Sequence, residues 1–312
     1  MRKHIFRLLL FIVLCPALQA QQLPILDNYL LNPVSISPAF SGRDNIFEAL
    51  VTHRTEGPKL SGSPVIGNVN IDGRIGKKMG VGGSIILNKA GIYKNFSINL
   101  NYAYHLQVAK LHFLSFGISA AMYQNSLDIS SVILKDPNDP MVMNQSKISE
   151  SYFNMGASLL YNYQNFNFSI AFPLLFNNRS FYIDDAPYEY VLTMKRNFLI
   201  YSNYTLDLNE EWKLKFDLLF RYVQQVPWTI EVSTLVKFRD SYWFGLLYRK
   251  PTVIGVTAGL EIINSIVINY NYEFVGSSMM GSSGGNHEFT VGYRLKGTVK
   301  PKKVLQIKDY VR

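Results

Sequence analysis

"FSINLNYAYHL", residues 96–106, alternates strictly. Phe96, Ile98, Leu100, Tyr102, Tyr104 and Leu106 are apolar or aromatic, and Ser97, Asn99, Asn101, Ala103 and His105 stand between them. A period of two puts these sets on opposite faces of an extended strand. One face is greasy, and the other is polar but almost uncharged. A sheet that offered its polar face to bulk water would carry more charge there. The pattern fits a wall with lipid on one side and a polar lumen on the other.

The same grammar recurs along the chain. In "SIVINYNYEF", Ile266, Ile268, Tyr270, Tyr272 and Phe274 oppose Val267, Asn269, Asn271 and Glu273. In "EWKLKFDLLFRY", Trp212, Leu214, Phe216, Leu218, Phe220 and Tyr222 oppose Lys213, Lys215, Asp217 and Arg221. Candidate strands cover 46–54, 64–72, 79–88, 95–108, 111–124, 151–163, 166–173, 195–206, 211–223, 228–238, 241–250, 253–263, 265–276 and 287–296. They number about fourteen, an even count as single-chain outer-membrane barrels have. No apolar run beyond residue 20 reaches the roughly 20 residues that a spanning helix needs.

Connection lengths segregate by parity. Those after strands five, seven and thirteen are long (125–150, 174–194 and 277–286), whereas those after even strands are tight turns. Long outer loops and short periplasmic turns are the outer-membrane rule. The expected fold is therefore an all-β, transmembrane antiparallel barrel over 46–296. The aromatic face meets lipid, and the Asn, Ser and Lys face lines the lumen. A large secreted soluble β-protein is the rival reading.

The chain begins as a secretory signal. Arg2, Lys3 and Arg7 precede the apolar run "LLLFIVLCPAL", and "LQA" ends at Ala20. Cleavage there starts the mature chain at Gln21 and removes Cys15, the one cysteine. No disulfide framework or thiolate metal site is then expected. Removing the signal's three basic residues lowers the net charge from +9 to +6, with 28 basic residues against 22 acidic. Much of this excess lies in the tail, residues 297–312, read as a basic periplasmic segment. Nucleic acid is not an expected partner of an exported chain; outer-membrane lipid is. Residues 21–45 do not alternate. They read as an N-terminal periplasmic or plug segment, either recognised by partners or sealing the barrel floor.

Sites of chemistry are scarce. His53, His105, His112 and His287 lack metal-ligand spacing. "GRIGKKMGVGG" (73–83) lacks the Ser or Thr and the helix that a phosphate loop requires. Its Gly80, Gly82 and Gly83 are expected to let a strand bend around the barrel. No cofactor, metal or catalytic group is expected. The charged lumen candidates are Lys213, Lys215, Asp217, Arg221, Glu231, Lys237, Glu273, Glu288 and Arg294, with Arg249 and Glu261 on the same face. They form a pore wall or, as the favoured reading, part of an occluded interior.

The start "QQLPILDNYLLNPVSISPAFSG" resembles the opening of the PorP/SprF family of type IX secretion and gliding proteins. Tyr29, Asn32, Pro38, Ala39, Phe40, Ser41 and Gly42 match its pattern, and Ser37 stands where the family has Asn. "SGSPVIGNVNIDG", "KMGVGGSIILNKAG" and "NHEFTVGYRL" follow in the family's order. The resemblance implies a non-enzymatic outer-membrane protein that helps a secreted type IX cargo, such as an adhesin, reach or stay on the cell surface. It also implies contact with periplasmic secretion-system components. The loops at 125–150 and 174–194 are the expected cargo contacts. A passive porin and an outer-membrane Ser–His–Asp hydrolase are the alternatives.

Overall fold

The computed structural model describes residues 24–130, 147–176, 178–181, 192–224, 226–276 and 283–296. The signal segment, the tail 297–312 and the greater part of the two expected cargo loops lie outside the described residues.

Fourteen antiparallel strands form a closed barrel. In chain order they are β1 (Ile46–Glu56), β2 (Val65–Ile75), β3 (Met79–Ala90), β4 (Tyr93–Ala109), β5 (His112–Asp128), β6 (Lys147–Tyr163) and β7 (Phe166–Leu174). After a small separate hairpin of β8 (Asn178–Phe181) and β9 (Leu192–Met194), the wall continues. It is completed by β10 (Asn197–Asp207), β11 (Trp212–Val223), β12 (Val226–Phe238), β13 (Tyr242–Arg249), β14 (Val253–Ile262), β15 (Ile266–Val275) and β16 (Asn286–Lys296). Pairing of β1 with β16, from Ile46 opposite Lys296 to Glu56 opposite Asn286, closes the ring. Closure satisfies every backbone edge, which hydrocarbon demands.

Alternation sets the two faces. Phe96, Ile98, Leu100, Tyr102, Tyr104 and Leu106 are exposed on the outside, while Ser97, Asn101, Ala103 and His105 are buried inside. At one end every connection is four residues or fewer. Arg239–Asp240 and Ile263–Asn264 turn there with both φ values near +54°. Paired positive φ is the geometry that matches the twist of a tight hairpin. The other end carries the long connections.

Two features depart from the sequence reading. β5 and β6 stay paired out to Asp128 opposite Lys147, inside the stretch expected as loop. Their outward positions there, Gln124, Ser126, Asp128, Lys147, Ser149 and Ser151, are all polar, so the alternation that marks a lipid-facing strand disappears where the strands leave the membrane. The hairpin β8–β9 also lies within an expected loop, and its strands are too short to show a period.

Candidate functional site

The lumen is not open. Residues 24–45 run inside it as three 3₁₀ turns, Asp27–Leu30, Pro33–Ser35 and Pro38–Phe40. Asn32 caps the second turn by accepting from Val34 N at 2.9 Å, and Pro33 and Pro38 begin their turns. Proline at the first position loses only an N–H that would be unpaired there.

The segment threads the barrel end to end. Asp27 lies beside Arg54, Glu273 and Glu288, all within three residues of the long-loop rim of their strands. Ser41 lies beside Gly80 and His105 near the short turns, and the chain enters β1 from that end. The N-terminal side of the plug therefore points toward the long loops.

An apolar seat holds its middle. Tyr29, Leu30, Ile36, Ala39 and Phe40 pack on inward-facing Leu160, Leu199, Tyr201, Leu219 and Leu235. Tyr29 and Phe40 meet Tyr201 edge-on, with ring centroids 5.7 and 5.8 Å apart. Each fully buried side chain of this size contributes roughly 1.5–3 kcal/mol. These leucines occupy inward positions that a water-filled lumen would leave polar. Leu219, set among Lys215, Asp217 and Arg221, is a signal in the sequence that the expectation of a polar face passed over.

Glycines make the seat close-fitting. A Cβ at Gly80 would lie 1.8 Å from Ser41 O, and one at Gly117 would lie 2.2 Å from Ala39 N. Gly80 thus admits the plug backbone, a sharper role than the strand bending expected of it. Gly42, at φ +63°, passes so close to Gly73 that a Cβ would be 2.6 Å from its carbonyl oxygen.

Polar contacts complete the fit. Ala39 N donates to Ser158 Oγ at 2.8 Å, and Gly42 N donates to Asp72 Oδ2 at 3.2 Å. Asn32 Nδ2 donates to Asp72 Oδ1 at 2.7 Å. Ser37 does not cap its turn with its side chain; its Oγ shares a hydrogen bond of 2.8 Å with Ser169 Oγ. His105 holds the plug carbonyl of Ser41 through Nε2 at 2.9 Å and meets Ser115 Oγ at 2.8 Å through Nδ1.

Two arginines tie the plug to the wall. Arg54 contacts Asp27 and Glu288 at 3.2 Å and Glu273 at 2.5 Å. Arg249 contacts Asp27 at 2.7 Å, Glu273 at 2.8 Å and Glu231. Tyr29 Oη donates to Glu231 as well. Four buried carboxylates thus surround two guanidinium groups.

The charged residues expected in the lumen divide by position. Glu231, Glu273 and Glu288 join this cluster. Lys215 pairs with Asp217 at 2.8 Å and donates to the plug carbonyl of Leu30 at 3.0 Å. Arg294 pairs with Glu48 and, at 3.4 Å, with Glu261. Arg221 is half-buried on the inner wall, and Lys237 lines a cavity of about 230 Å³ between plug and wall at the short-turn end. Lys213 lies at the rim, bound to Asp240 at 2.6 Å. Asp27 and Arg54 were missed. Arg54 shares parity with Glu48 and Thr52 and was findable by the same alternation; Asp27 lies where no period exists.

Among the described residues no group of three or more His, Cys, Asp or Glu could hold a metal ion. The outward-facing His287 meets Tyr270 Oη at 2.7 Å and the Gly284 carbonyl at 3.1 Å.

Residues 18–293 match the family described as type IX secretion system membrane protein PorP/SprF. The chain belongs to the PorP/SprF family. No curated protein matches the sequence. Among solved structures, the fold is similar to the CymD monoaromatic hydrocarbon channel, at 10% identity over 86% of this chain and 91% of that one, with a TM-score of 0.51. It is also similar to the toluene transporter TbuX of Ralstonia pickettii, at 9% identity over 83% and 92%, with a TM-score of 0.50. At such identity the likeness is one of fold, that of outer-membrane barrels. In this PorP/SprF barrel the family-pattern residues Tyr29, Asn32, Pro38, Ala39, Phe40 and Gly42 all lie on the plug, where each meets the wall or shapes a turn.

Proposed function

We propose that this PorP/SprF barrel is a closed, non-enzymatic scaffold of the type IX secretion machinery, helping a secreted cargo protein, such as an adhesin, reach or remain on the cell surface. The observation that carries the reading is the plug. A segment bearing the family-pattern residues fills the lumen and is tied to the wall by buried ion pairs and a leucine seat. Such a barrel offers its two ends for recognition rather than its bore for passage. The long-loop end, outermost by the outer-membrane rule, is where a cargo binds, since long loops on a rigid frame are suited to recognition. The short-turn end faces periplasmic components of the machinery.

A gentle pull-down of the tagged barrel from outer membranes, followed by mass spectrometry, tests this. A large secreted protein should co-purify, and shortening the loop between β5 and β6 should release it. A solitary barrel that conducts ions would contradict the reading and favour a passive pore.

A further inference from the structure

We propose that the lipid-facing wall at β13–β15 holds the acyl chain of a zwitterionic phospholipid from the short-turn leaflet, in a built recess. Its floor is Ala258. Outward positions elsewhere on these strands carry large side chains, but Ala258 is opposed by Phe244 on one side and Tyr270 on the other. The small side chain leaves a recess of about 440 Å³, lined almost wholly by apolar atoms. Behind it the wall is thin: Gly259 carries no side chain because the Trp243 indole covers it from the lumen, where a Cβ would lie 2.4 Å from the ring.

The recess opens toward the short-turn rim, where Trp212 and Phe238 pack with ring centroids 4.7 Å apart. From Tyr242 at that rim to Phe244 is two strand residues, or about 7 Å, enough for the first several methylenes of a chain. Aromatic rims of this kind lie at headgroup depth.

The charges beside this mouth select the headgroup. Arg239 lies over the Phe238 ring at 5.0 Å and pairs with Glu211 at 2.5 Å, with both side chains about half exposed or more. One cation and one carboxylate, side by side and exposed, match a phosphate joined to an ammonium. A purely anionic headgroup would meet the Glu211 carboxylate without compensation. The occupant is thus a phosphatidylethanolamine-like lipid.

The test is the phospholipid retained by the full-length barrel after purification from outer membranes and detergent exchange, read by native mass spectrometry. The wild type should keep a single ethanolamine phospholipid per barrel. Ala258→Leu fills the recess and should lower retention roughly tenfold, the loss of about 1.4 kcal/mol of binding. Arg239→Gln leaves the recess intact and should also lower retention while weakening the preference for zwitterionic over anionic lipid. Equal retention by the wild type and both variants, or a wild-type preference for anionic lipid, would overturn the proposal.

Discussion

Gly117 on β5 faces Ala39 on the plug so closely that a single added methyl group would fall 2.2 Å from the Ala39 nitrogen. Plug and wall are shaped to each other at the level of individual atoms. Gly117→Ala should unseat the plug while leaving the strand pairing intact, because overpacking of this kind costs about 1–3 kcal/mol. The measurement is thiol labelling at Ala39→Cys. That thiol should be protected alone and become reactive when combined with Gly117→Ala. Protection in both would show that the seat is not tight.

Ser37 on the plug and Ser169 on β7 share a hydrogen bond of 2.8 Å. The chain's single cysteine, Cys15, lies in the signal segment. Ser37→Cys with Ser169→Cys should therefore form one disulfide under oxidation, visible as faster migration on a non-reducing gel. A barrel locked in this way should still retain its cargo, since the plug acts as a fixed part of the scaffold. Loss of cargo on oxidation, restored by reduction, would show that the plug must move.

Arg54 is nearly fully buried among four carboxylates, those of Asp27, Glu56, Glu273 and Glu288, at distances of 2.5–3.2 Å. Removing one partner of a buried ionic cluster costs about 3–5 kcal/mol, because the remaining charges stay buried and uncompensated. Arg54→Ala should lower the urea midpoint of the folded barrel accordingly. Lys213→Ala, at the exposed rim, should change it by less than about 1 kcal/mol. Equal effects would place the main tie elsewhere.

Most of the barrel was legible because lipid outside and a different environment inside impose a strict period of two. Phe96 to Leu106 and Ile266 to Phe274 showed it without help from any tertiary contact. The turns were legible through their length. The lack of alternation over 21–45 left a periplasmic or a plug segment as readings, but the segment's course through the lumen was not legible, since 3₁₀ turns of three or four residues have no period. Its seat was hidden for a related reason: Gly80, Gly117 and Leu219 are ordinary strand residues until the segment they receive is in place. The ion cluster was half visible. Glu231, Glu273 and Glu288 carry lumen parity, whereas Asp27 reaches them from a segment more than 200 residues away in the chain.

The most direct test is single-channel conductance of the purified barrel in planar bilayers, comparing the wild type with the Gly80→Ala, Gly117→Ala double variant. The plugged account predicts a silent wild type and a variant that passes ions once its plug is displaced. Equal, steady conductance from both would contradict it, because the wild-type lumen would then be open despite the segment inside it.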